Sequence, residues 1–92
     1  MSSSAWMMRR DYVITVTNTV NDNVDLFRFY GRDAQIRHQL QTMAKEDCPD
    51  CRPSDLQVEE TDNKYKQYQL VVPCDGGTVI YTATLFEAVA YL

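Results

Sequence analysis

Cys48-Pro49-Asp50-Cys51 is a C-x-x-C, and Cys74 and the single histidine, His38, lie elsewhere in the chain. These four side chains are of the types that build a structural zinc site or a redox thiol pair. Zinc needs four ligands, commonly as two closely spaced pairs, and the chain has no second C-x-x-C and no paired histidines. A redox C-x-x-C opens a helix, whose positive end favours the thiolate. Here the motif follows a predicted helix, among acids, where the thiolate is disfavoured. The expectation is three free thiols, with Pro49 and Pro53 marking a turn that blocks further helix. No metal and no cofactor are expected.

Other catalytic patterns are equally thin. A nucleophilic Ser or Cys needs a base beside it, and His38 falls on the polar side of its helix. Glu59 and Glu60 are adjacent on a predicted strand and so point to opposite faces rather than forming a carboxylate pair. Gly76-Gly77 lacks the frame of a phosphate loop. The chain is therefore expected not to be an enzyme.

Charge is more informative. The 92 residues carry nine bases and thirteen acids, a net −4. Residues 46–62 hold seven acids and one base, a net −6. Such a stretch is either a solvated face or a surface that meets a basic partner. Nonspecific nucleic-acid binding is disfavoured, because it needs a surplus of Lys and Arg to release counterions. Aromatic residues make up 11% of the chain. Tyr65, Tyr68, Tyr81, Tyr91 and Trp6 cannot all be fully buried in so small a domain, and exposed aromatics suit protein interfaces as well as strands. A small nucleic-acid-binding module would use aromatics on a sheet, but the acidic balance and the lack of an RNA-binding signature count against it.

The elements that must position these residues follow from periodicity. Tyr12–Thr17 alternates and is β-branched, with Tyr12, Ile14 and Val16 on one face. Asn18–Asn23 reads as a turn. Val24–Tyr30 is a second strand with apolar residues on both faces, which implies cover on both sides. After Gly31, Asp33 to about Glu46 forms an amphipathic helix with a stripe of Ile36, Leu40, Met43 and Ala44. Pro49–Ser54 is a loop, Leu56–Glu60 a third strand, and Tyr65–Val72 a fourth that Pro73 ends. Asp75-Gly76-Gly77 is a hairpin turn, and Thr78–Leu85 the fifth strand. Phe86–Leu92 reads as a short helix or an extended tail, with spacing that favours a helical turn. The predicted fold is α+β: a five-stranded antiparallel sheet in the order ββαβββ, with one helix on one face.

Residues 1–10 are expected as a flexible tail and 11–92 as a single domain. A chain this short buries roughly 60–65% of its unfolded surface, which favours presenting a surface over enclosing a deep pocket. No apolar run is long enough to span a membrane, and the first ten residues have the wrong order for a secretory signal. The cytoplasm is the expected compartment. The oligomeric state is open, with self-association through the free sheet face or an edge strand as one route.

Tyr12-Val-Ile-Thr-Val-Thr17, Val24-Asp-Leu-Phe-Arg-Phe-Tyr-Gly31, a helix ending Ala44-Lys-Glu-Asp47, and a meander closing Ile80-Tyr-Thr-Ala83 together resemble a family of short proteins of bacterial phages and mobile elements. The resemblance spans most of residues 11–84. It departs from the pattern in the Cys48–Cys51 loop and after Leu85. In size, acidity and its Met-Ser-Ser-Ser start the chain also resembles phage anti-CRISPR proteins, those acting on type I-F systems in particular. That resemblance implies a stoichiometric inhibitor in the bacterial cytoplasm. Its partner would be a crRNA-guided surveillance complex (Cascade/Csy), which it would keep from target DNA. The alternative is a different protein-binding adaptor or regulator of a host enzyme.

Such a complex lines its DNA path with Lys and Arg, and acids with neighbouring aromatics can compete for those charges. The candidate surface is Asp47, Asp50, Asp55, Glu59, Glu60 and Asp62, with Tyr65. A second set of bases, Arg32, Arg37 and Lys45, is placed to touch guide-RNA phosphates.

Overall fold

The structure is a computed structural model, and it describes residues 9–61, 67–74 and 76–86. Five strands and one helix run in the order β1 (Arg10–Asn18), β2 (Asn23–Gly31), α1 (Asp33–Asp47), β3 (Glu59–Glu60), β4 (Tyr68–Cys74) and β5 (Gly77–Leu85), with a 3-10 turn at Pro53–Asp55 before β3. All pairings are antiparallel and the sheet order is β2-β1-β5-β4-β3. The hairpin β1–β2 and the meander β3–β4–β5 are thus joined through β1 and β5. The helix carries the chain from one edge of the sheet to the other.

One sheet face and the helix stripe form the core. Tyr12, Ile14, Tyr68, Leu70, Val72, Tyr81 and Ala83 alternate inward from β1, β4 and β5 to meet Ile36, Leu40 and Ala44. Two carboxylates tie the helix ends to this face. The Tyr12 hydroxyl donates to Asp33 Oδ1 at 2.9 Å, and the Tyr81 hydroxyl to Asp47 Oδ2 at 2.6 Å. Hydrogen bonds to a charged group stabilise by about 1.5–3 kcal/mol. At the β4–β5 turn, Gly76 takes φ +86°, which glycine adopts without steric cost. Gly31 has a different reason: a Cβ there would lie 2.8 Å from Gln35 Oε1 and from the Phe29 ring. Gln35 Oε1 accepts from the Arg32 amide at 2.8 Å and helps start the helix.

The α+β class, the ββαβββ order and the amphipathic helix on one sheet face are as the sequence implies. Several details differ. β2 is not covered on both sides; it is an edge strand with only Phe29 and Gly31 shielded. β3 is two residues long, because the 3-10 turn takes up the chain through Asp55 and leaves Leu56 buried without strand pairing. β4 runs through Pro73 to Cys74. The Thr19 amide donates to the Thr78 carbonyl of β5, and bonding direction alternates along antiparallel strands. Pro73 therefore directs its nitrogen away from β5, where no ladder bond is lost. Cys48 and Cys51 are joined by a disulfide rather than free. The Cys51 amide donates to the Cys48 carbonyl at 3.0 Å, a tight turn that brings the two side chains together. The expected N-terminal tail up to residue 8 and the expected C-terminal helical turn beyond Phe86 lie outside the described residues.

Candidate functional site

The two flanks of α1 have different surroundings. On the β3 side Arg37, Gln41 and Lys45 are committed internally. Arg37 pairs with Glu60 at 2.8 Å and lies 4.9 Å from the centre of the Tyr68 ring. Gln41 donates to the Leu56 carbonyl at 2.9 Å, and Lys45 to the carbonyls of Pro49 and Cys51 at 2.9 and 3.0 Å. These bonds fasten the loop after the helix.

On the β2 side the helix stands away from the sheet and leaves a groove of about 400 Å³. Phe27, Phe29 and Met43 supply its apolar surface, and Asp25, Glu46 and Asp47 stand exposed around it. Among the described residues Asp25 and Glu46 have no ion-pair partner. The combination of aromatic surface with unneutralised carboxylates suits a ligand that is basic at one end and apolar along its stem, as Lys and Arg side chains are.

β2 itself carries much of the exposed apolar surface. Val24, Leu26, Phe27 and Tyr30 are 57%, 68%, 47% and 64% exposed. Arg28 on the same strand pairs with Asp11 at 3.5 Å and lies over the Phe86 ring at 4.2 Å.

The acids singled out in the sequence do not form one surface. Asp47 belongs to the β2-side groove and holds Tyr81. Asp50 is exposed in the disulfide loop. Asp55 and Glu59 share a second depression of about 280 Å³ with Val71 and Pro73. Asp55 also accepts from the Arg52 amide at 3.1 Å. Glu60 points to the helix face and is held by Arg37. Asp62 and Tyr65 lie outside the described residues. Of the three bases, Arg32 is exposed at the helix start, while Arg37 and Lys45 make the bonds given above. Asp25, Phe27, Phe29, Met43 and Glu46 were not singled out. Their signal was the pair of apolar faces on the second strand, which marks an edge beside a groove rather than a doubly covered strand.

The tyrosines expected to supply exposed aromatic surface divide. Tyr68 and Tyr81 are fully buried, as is Tyr12, while Tyr65, Tyr91 and Trp6 lie outside the described residues. Among the described residues the exposed aromatics are Phe27, Tyr30 and Phe86. Burial first, and then the neighbouring carboxylate, raise the phenol pKa values of Tyr12 (Asp33) and Tyr81 (Asp47) well above the ordinary range. Tyr68 is pushed up to about 12 by burial and by the charge of Asp33.

Cys74 is a free, exposed thiol, and His38 is exposed. Among the described residues no three of His, Cys, Asp and Glu stand together as a metal-ligand set, and no helix is long and apolar enough to cross a membrane. The features so defined are an acid-lined groove and an exposed apolar edge strand on an antiparallel α+β sheet. Comparison of the chain with protein-family models, curated proteins and solved structures gives no match.

Proposed function

We propose that the protein is a non-catalytic, phage-type inhibitor that docks on a crRNA-guided surveillance complex and keeps target DNA from pairing with the guide. The observation that supports this reading most is the groove beside β2, where Asp25 and Glu46, without an ion-pair partner among the described residues, adjoin exposed aromatic surface. A complex that holds nucleic acid presents Lys and Arg along its path, and carboxylates on an apolar base compete for them. The identity of the target rests on the resemblance described above.

The test is target-DNA binding by a purified type I-F surveillance complex, with and without an equal molarity of this protein. Co-elution with the complex and loss of DNA binding are expected. If neither occurs, the proposed target is wrong. If both occur, charge reversal is next read at Asp25 and Glu46 rather than at Glu60, whose carboxylate is already engaged by Arg37.

A second reading, an adaptor or regulator of a host enzyme, is favoured by the apolar exposure of Val24, Leu26 and Tyr30. Such a contact would hold its affinity as salt rises, whereas one centred on carboxylates and a basic path would weaken.

A further inference from the structure

Antiparallel strands alternate between residues whose backbone groups face one neighbour and residues whose groups face the other. The Thr19 amide bonds to the Thr78 carbonyl on the β5 side of β1. Odd-numbered β1 residues therefore face β5 and even-numbered ones face β2. With the register Ile14↔Phe27 and Tyr12↔Phe29, β2 residues 25, 27 and 29 bond to β1. Val24, Leu26, Arg28 and Tyr30 direct their N–H and C=O groups outward. Among the described residues none of these groups has a backbone partner. A nine-residue strand thus presents an open ladder directly beside the acid-bearing groove.

We infer that β2 takes an extended, basic segment of a partner protein as a sixth strand. The inference rests on the reading of the protein as a binder of a basic partner, and it specifies how that partner is held. Main-chain bonds to Val24, Leu26, Arg28 and Tyr30 supply affinity in this mode, and alternate side chains supply selectivity. Residues of the added strand on the helix side fall next to Asp25, Phe27 and Phe29 and reach Glu46 and Asp47, so they are Lys or Arg. Residues on the opposite side lie beside Val24, Leu26 and Tyr30, so they are apolar. Arg28 is already engaged by Asp11 and Phe86 on that side.

Charge also chooses between occupants. A second copy of this chain pairing through its own β2 would bring another Asp25 to a groove that already holds Asp25, Glu46 and Asp47. Like charges across strands are destabilising, so a basic strand is favoured over self-pairing.

The test uses the full chain and a blocked ten-residue peptide alternating lysine and valine, followed by nitrogen-15 NMR and amide exchange. Controls are a glutamate–valine peptide and a lysine–valine peptide N-methylated at alternate residues. Binding should shift signals along β2 and protect the amides of residues 24, 26, 28 and 30. The glutamate and N-methylated peptides should bind about tenfold more weakly or not at all. Leu26→Pro removes one outward N–H and leaves the β1 ladder intact, so it should weaken the lysine–valine peptide about tenfold. Asp25→Lys with Glu46→Lys should weaken it without altering the fold. Equal binding of the N-methylated peptide, no binding by the lysine–valine peptide, or a concentration-dependent dimer with the β2 amides protected would each overturn the inference. The two readings fail separately. A protein that leaves the surveillance complex untouched but binds the peptide along β2 loses the proposed target and keeps the edge. One that blocks DNA binding equally well as Leu26→Pro keeps the target and loses the edge.

Discussion

β3 closes one edge of the sheet with two residues, Glu59 and Glu60, whereas β2 closes the other with nine. Beyond β3 the outward side of β4 is interrupted by Pro73, which has no N–H to offer. The loop before β3 is held to the helix by Gln41, and Glu60 is held by Arg37. These are the devices by which proteins prevent stray strand pairing: short edges, charge, proline and cover. β2 has two exposed charged residues among nine, Asp25 and Arg28, no proline, and four large apolar side chains about half exposed or more. An unprotected long edge is an aggregation hazard. Among the described residues it lies opposite a well-protected edge, and this asymmetry is what the proposed strand addition would use.

The comparison implies that stability resides between the edges. The largest expected effect is therefore at Leu40, which is fully buried in the helix stripe over the centre of the sheet. Leu40→Ala should cost about 2–5 kcal/mol, measured by urea denaturation, because a cavity is left beneath a helix that cannot collapse onto a pleated surface. A cost below about 1 kcal/mol would mean that the helix does not organise the core.

High pH should act on the same central strands. Tyr12, Tyr68 and Tyr81 lie on β1, β4 and β5, and their folded pKa values are raised above the ordinary value near 10. The unfolded chain then releases these protons at lower pH than the folded one does. Stability from the three phenols is fully present below about pH 10 and is lost as pH climbs toward and past 12. Denaturation midpoints should fall across that range, and phenolate absorbance should show at least three late-titrating tyrosines. Ionisation of all six near pH 10 in the native protein would contradict the buried positions.

Much of this frame was legible from alternation and helical spacing. Tyr12, Ile14 and Val16 identified the inward face of β1, and Ile36, Leu40 and Ala44 the helix stripe, because both patterns arise from local geometry. Sheet order was not legible. The pairing of β1 with β5 joins residues about seventy positions apart, and no short-range pattern encodes it. That pairing leaves β2 on the outside. The two apolar faces of Val24–Tyr30 therefore suggested cover where the structure has an edge. In sequence the acidic stretch reads as one surface, but the turn at Pro53–Asp55 and the alternation at Glu59 and Glu60 distribute its described members over two depressions, a loop and the helix-facing side of β3. The disulfide was missed for a different reason: an odd cysteine count argues against a closed framework, yet a tight turn can still pair the two nearest.

The smallest stability effect should come from Leu26, and it most directly tests the contrast between the edges. Leu26 is 68% exposed and faces away from the helix. Leu26→Lys removes little buried surface and breaks no ladder bond, so its stability should stay within about 0.5 kcal/mol of the parent. The lysine would give β2 the protection that the β3 edge already has, and concentrated solutions should aggregate less. Binding of a basic strand should weaken at the same time, since the new ammonium meets its apolar face. A loss of 1 kcal/mol or more in the isolated protein would mean that Leu26 is covered in solution. β2 would then already be occupied, and the open edge would not be the feature that distinguishes the two sides of the sheet.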